Sequence, residues 1–191
     1  MKLLEDIILR DGKLLPGNIL RVDNFLNHRI DVSLIDRLGQ EFYRLFSDTR
    51  VDKILTVEAS GIGIACLTAR YFDVPVVFAK KSKGLNASDD CYTAEVASFT
   101  HKKINTVTVT REYLQKGENV LLIDDFLADG NALRGLNELC RQASCTVVGA
   151  GIVIEKAFQG GGDALRGEGM RIESLARIAS MDFETGIRFI S

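Results

Sequence analysis

The sequence has little that would commit it to a membrane, a nucleic acid or a structural metal. No apolar run approaches the roughly 20 residues that cross a bilayer. The apolar N-terminal segment carries Glu5, Asp6 and Asp11, which argues for an amphipathic helix and against a signal peptide. Lys and Arg total 24 against 26 Asp and Glu, a net charge of −2, with no basic stripe interleaved with aromatics. Nucleic acid is therefore a poor partner. Two histidines and four cysteines, Cys66, Cys91, Cys140 and Cys145, with no C-x-x-C pair offer little to zinc. Reduced thiols in a cytoplasmic protein are the simplest reading. Internal repeats and low-complexity tracts are also missing. What remains is a chain of 191 residues, 46% hydrophobic and 26% charged, the size and balance of one globular domain spanning residues 1–191.

The stretch from Val120 to Ala132 organises that chain. Val120 to Ile123 is apolar throughout, as in a strand covered on both faces of a parallel sheet. Asp124 and Asp125 follow at its C-terminal end, then a short loop through Gly130, then a helix with Leu133, Leu136, Cys140 and Ala143 on one side. Open α/β sheets bind ligands at such strand–turn–helix junctions. Free N–H groups at the helix start attract phosphate, and glycine lets the backbone come close. A lone Asp and Gly here would be an ordinary capped turn. Two adjacent acids are harder to dismiss, because neighbouring strand residues point to opposite faces.

The rest of the chain alternates strands with helices, which argues for a parallel-centred α/β sheet flanked by helices. Leu3, Leu4, Ile7 and Ile8 make one helical face. Residues 13–30, with a turn at Pro16-Gly17, are apolar but irregular, either a core element or a flap over a ligand. Ser33 to Asp36 resembles a capping box, and Leu34, Leu38, Phe42 and Leu45 then spell a helix. Lys53 to Val57 reads as a strand followed by Glu58-Ala59-Ser60-Gly61-Ile62-Gly63 and a helix, a second junction able to hold an anion. Val74 to Ala79 reads as a buried strand ending in Lys80, Lys81 and Lys83, a solvated run or a polyanion contact. Gly84 to Cys91 is polar and small and reads as mobile. Tyr92 to Thr100 and Ile104 to Thr110 alternate like an antiparallel hairpin, a candidate lid. Thr146 to Ile154 and Ile172 to Ile178 are further strands. The first ends at Lys156 and Phe158: the lysine is a surface group or a donor to a 6-oxo group, and the ring stacks on a base or joins the core.

The Val120–Ala132 stretch resembles the phosphoribosyl-diphosphate (PRPP) motif of type I phosphoribosyltransferases. Four segments, M-K-L-L-E-D-I-I-L-R-D-G, E-A-S-G-I, D-D-F-L-A-D-G-N-A and V-I-E-K-A-F-Q-G-G, extend the likeness over nearly the whole chain. They are similar to bacterial xanthine phosphoribosyltransferases, within the type I purine family. The resemblance implies that fold, with a hood over about residues 1–35 and a flexible loop and hairpin at about 82–105. It implies transfer of a 5-phosphoribosyl group from PRPP, entering as its Mg2+ complex, to xanthine in purine salvage, by a cytoplasmic homodimer. Asp124 and Asp125 would face the ribose and carry catalysis. Ala128, Asp129, Gly130, Asn131 and Ala132 would hold the 5′-phosphate. Leu20, Asn27 and Lys156 would hold the base, and Ser60, Gly61, Lys80 and Lys81 the pyrophosphate. No protein metal ligand and no general base stand out.

Asp129 departs from the pattern, which usually has a neutral Asn there. A carboxylate beside a phosphate repels it unless it turns away or caps the helix. Two other readings stay open: an enzyme for hypoxanthine and guanine or, less in keeping with the donor-only Lys156, adenine; and a non-catalytic PRPP sensor, which would need an output module for which the chain leaves no room.

Overall fold

The computed structural model describes residues 1–81, 90–97 and 104–190. A six-stranded sheet runs in the order β10-β9-β8-β7-β3-β4. Its strands are β3 (Lys53–Val57), β4 (Val76–Ala79), β7 (Asn119–Leu127), β8 (Thr146–Lys156), β9 (Ile172–Asp182) and β10 (Gly186–Phe189). All pair in parallel except β10, which closes the edge antiparallel to β9. Parallel neighbours need crossovers, and helices supply them: α3 (Ser60–Phe72), α4 (Asn131–Ala143) and α5 (Gly161–Gly167).

Both faces of the sheet are covered, and β7 shows it residue by residue. Leu121 and Ile123 enter one core with α1 (Lys2–Asp11), α2 (Val32–Leu45) and α3, while Val120 and Leu122 enter the other with α4. That alternation is why the strand has no polar face. Most of the helical sides expected from spacing are buried: Leu4 and Ile8 in α1, Leu34, Leu38 and Phe42 in α2, Leu133, Leu136, Cys140 and Ala143 in α4, while Leu3, Ile7 and Leu45 are partly buried against the same core. No helix among the described residues is long and apolar enough to cross a membrane.

Several boundaries differ from expectation. Strand β7 does not stop before the acids but continues through Leu127, because its ladder with β8 runs on to Leu127 opposite Glu155. The cap of α2 is Asp31, whose side chain accepts from the Leu34 N–H at 3.0 Å, not Ser33. Strand β4 is a sheet edge and only half-covered, with Phe78 exposed. The irregular segment after α1 is a small hairpin, β1 (Lys13–Leu15) with β2 (Ile19–Arg21), and one wide helical turn at Asp23–Asn27. Helix α5 and strand β10 had no clear signal in the sequence.

Between β4 and β7 lies the antiparallel pair β5 (Cys91–Ala97) and β6 (Ile104–Thr110). Ala94, Val107 and Val109 are buried, and Gln142 of α4 bonds both backbone groups of Thr93. These strands form a docked wall. The hairpin expected as a candidate lid, Tyr92 to Thr100 with Ile104 to Thr110, is docked on α4 over its described residues; residues 98–103 of it and the polar loop at 82–89, with Lys83, lie outside the described residues. At the opposite end of the sheet, β3 and β7 are pinned together. Lys53 Nζ meets Glu118 at 2.7 Å and the Tyr113 carbonyl at 2.6 Å, and the Asn119 N–H donates to Asp52 at 2.9 Å. This fixes the parallel register that brings the C-terminal ends of β3 and β7 side by side.

Candidate active site

A cavity of about 300 Å³ opens at those strand ends. It straddles the end of β7, so Asp124 and Asp125 both line it although consecutive strand residues face opposite ways. It is also lined by residues 128–132, by Val57, Glu58, Ser60 and Lys81, and by Val96, Asn105 and Val107 of the hairpin. Glu58 of the second junction and Val96, Asn105 and Val107 of the candidate lid were not among the site residues expected from the sequence. Glu58 holds the strand end by accepting from the Lys81 N–H at 2.5 Å. Gly61 brings the first turn of α3 against Asp124. A Cβ there would run into Thr56 Oγ1 and come 3.5 Å from Asp124 Oδ1. The two glycine junctions thus meet at one acid.

Asp124 is 4% exposed and Asp125 8%. Asp124 Oδ1 accepts from the Asp125 N–H at 3.0 Å. Burial, then the neighbouring charge of Asp125, push the Asp124 carboxyl well above the usual range, with Lys81 pulling weakly the other way. A buried acid held uncompensated beside another acid favours whatever positive charge enters the cavity.

The loop after β7 turns at Gly130, whose φ of +85° suits glycine. Asp129 folds back onto this turn. Its Oδ1 accepts from the Asn131 N–H at 3.1 Å and its Oδ2 from the Asn131 side chain at 2.7 Å. The unusual carboxylate therefore caps the helix start, one of the two ways in which it can coexist with a phosphate.

Lys156 and Phe158 sit one strand over, at the end of β8. Lys156 is half-buried, its Nζ 5.7 Å from the centre of the Phe126 ring, which itself lines the cavity. Burial lowers the pKa of this amine. Phe158 is 40% exposed, so it is not a core residue. The adjacent Glu155 is fully buried and accepts from Arg166 through two bonds of 2.8 Å, from Ser174 at 2.5 Å and from Arg177 at 3.1 Å. Burial would raise this carboxyl, but those bonds and charges outweigh it and bring it down to about 2. The sequence offered one clue to this cluster: a carboxylate inside an apolar strand must find partners.

Of the other anticipated residues, Leu20 is buried in the core beside α1, and Asn27 is exposed on the wide turn. Neither lines the cavity, nor do Gly61, Lys80 or Lys156 themselves. Lys80 is exposed, its backbone paired with Thr108.

An acid pair on a central parallel strand, a glycine loop opening a helix and a second glycine junction beside it define a phosphoribosyl transferase domain, and the model of that family matches residues 21–163. The chain is 56% identical over 187 residues to a xanthine phosphoribosyltransferase of Bifidobacterium adolescentis, covering 97% of both chains. It is 51% identical to one of Lachnoclostridium phytofermentans, covering 97% and 96%. The chain belongs to the xanthine phosphoribosyltransferase family. Solved structures of adenine phosphoribosyltransferases from Saccharomyces cerevisiae (19% identity, 92% and 99% coverage, TM-score 0.73) and Rhodothermus marinus (16%, 93% and 99%, 0.74) share its fold. At those identities the likeness speaks for the fold alone.

Proposed function

We propose that the protein transfers the 5-phosphoribosyl group of PRPP to xanthine, giving xanthosine 5′-monophosphate and pyrophosphate. The observation that carries this reading is the acid pair Asp124 and Asp125 facing the 128–132 loop across one cavity, in a chain of this family. Loss of pyrophosphate leaves positive character on the ribose ring. A buried carboxylate without an ion pair among the described residues is stabilised as that charge develops, so the interaction is stronger in the transition state than in the ground state. The 128–132 backbone receives the 5′-phosphate, with Asp129 acting as cap. The start of α3 at Ser60 and Gly61, with Lys80 and Lys81, receives the pyrophosphate. Mg2+ arrives on PRPP. The hard carboxylate oxygens of the cavity suit such an ion, which keeps phosphate oxygens and water as its main ligands and neutralises the leaving group.

Lys156 donates to the 6-oxo group of the base. Its amine, already half-desolvated, gives up little water on meeting a carbonyl. Asn27 and the Leu20 backbone close over the 2-position, where a donor favours the oxo group of xanthine over the amino group of guanine. The enzyme works in purine salvage as a cytoplasmic homodimer, as the family kinship suggests.

Specificity constants for xanthine, guanine, hypoxanthine and adenine test the assignment. Xanthine should rank first and adenine last. Lys156→Ala should lower all three 6-oxopurines together by about 10- to 100-fold, the cost of a mispaired polar group in a closed site. A parent that prefers adenine, or unchanged constants in Lys156→Ala, would overturn it.

A further inference from the structure

We propose that Glu155 and Gly161 are positioning residues that tie the base-reading end of the site to its phosphate loop through the short helix α5. The idea rests on the function proposed above. Its first support is how closely α5 backs onto the loop. A Cβ at Gly161 would strike the Ala128 carbonyl and the Asp129 backbone, coming 2.7 Å from the Asp129 oxygen. One turn on, Leu165 lies beneath the loop's own turn, where a Cβ at Gly130 would be 2.9 Å from Leu165 Cδ1. The loop therefore rests on α5, and glycine at 161 is what permits the approach.

The second support is what holds α5. Arg166 grips Glu155 with both guanidinium nitrogens at 2.8 Å. Glu155 is in turn fastened to β9 by Ser174 at 2.5 Å and Arg177 at 3.1 Å. Gly162 makes room for this grip, since a Cβ there would lie 2.9 Å from Glu155 Cδ and from Arg166 Nη1. Glu155 is the chain neighbour of Lys156. A continuous path of contacts thus runs from Lys156 through Glu155, Arg166 and α5 to Ala128 and Gly130. A transferase for two substrates must hold base and sugar phosphate at one fixed separation. A misplacement of about 1 Å costs on the order of 100-fold in rate.

A purely structural cluster would lower stability without moving substrate constants, so three variants separate the two roles. Gly161→Ala should raise the KM for PRPP by about 10- to 100-fold and leave the KM for the base within about twofold. Glu155→Gln should raise both. Arg171→Ala is the control. It removes contacts to the Leu45 carbonyl and Asp48 at the N-terminal end of β9, and should lower the midpoint of thermal unfolding while moving neither KM. A PRPP KM within twofold of the parent in Gly161→Ala, or equal rises in Arg171→Ala, overturns the proposal; if Glu155→Gln does not fold, Gly161→Ala decides alone. A parent that makes no nucleotide from any purine defeats the assigned reaction instead. The brace is then judged by calorimetric binding of ribose 5-phosphate. Weaker binding in Gly161→Ala than in the parent supports it, and equal affinity, or no binding to the parent, overturns it.

Discussion

Asp124 and Glu155 are carboxylates shut inside the same sheet, on adjacent strands, and their surroundings push them in opposite directions. Glu155 has two arginines and a serine hydroxyl, and its carboxyl falls to about 2. Asp124 has one backbone N–H and a second acid next door, and its carboxyl rises. Breaking a buried ion pair leaves an uncompensated charge and is strongly destabilising. Among the described residues Asp124 has no ion-pair partner, only the weaker pull of Lys81. The difference separates a group that holds the fold from a group kept open for a ligand: compensation marks the first and its lack the second.

The sharpest way to break this contrast is to neutralise the open pair. Asp124→Asn and Asp125→Asn should each lower turnover on the order of 100-fold or more, about 3 kcal/mol of transition-state stabilisation. Asp124→Asn should at the same time raise the thermal midpoint at pH 7, by a gain of about 1 kcal/mol. The sign follows from the raised carboxyl: its stabilising contribution is complete below the unfolded value near 3.8 and is lost as pH rises through the folded one. Normal turnover in both variants, or a lower midpoint for Asp124→Asn, would erase the distinction.

Acid titration probes the other member. Glu155 is depressed from 4.5 to about 2, so its contribution is present above pH 4.5 and disappears as pH falls toward 2. That contribution is about 2–3 kcal/mol. Denaturant melts of the parent between pH 5 and pH 2 should show that loss, and Glu155→Gln should lack this part of the slope. Identical slopes would mean that the arginines do not compensate Glu155.

The smallest effect is expected at Asp129, an acid engaged, among the described residues, with the Asn131 backbone and amide. Asp129→Asn keeps an acceptor for the Asn131 N–H and removes charge beside the phosphate loop. The KM for PRPP should stay equal or fall by up to about threefold, less than about 1 kcal/mol. A large rise would give Asp129 a role beyond capping.

The sequence carried the sheet and helices well wherever burial was regular. The apolar run 120–123 and the spacing of Leu34, Leu38 and Phe42 could mean little else. The acid pair with its loop was legible too, because its parts are contiguous. Glu155 was not, since its partners Arg166 and Arg177 lie 11 and 22 residues away and no local spacing announces them. The Asp31 cap was hidden for a related reason: Ser33 is as good a cap by type, and only the chain's path selects Asp31. The hairpin walls, Val96 and Val107, read as sheet residues and gained a place at the site only through docking on α4.

The clamp that pins β3 to β7 also sets a schedule. Asp52 and Asn119 meet across 67 positions, whereas β5 and β6 pair within a single hairpin. Loop closure costs about 0.6 kcal/mol more for each doubling of length, so three doublings delay the long contact by about 2 kcal/mol. During synthesis the hairpin emerges before β7, but helix α4, on which it docks, emerges after it, and a lone hairpin is marginal in water. The carboxylates and the glycine junction at residues 58–63 come together only where β3 and β7 lie side by side. The binding cleft is therefore set by long-range contacts: a chain cut before β7 lacks Asp124, Asp125 and the 128–132 loop, and with them the centre of the sheet.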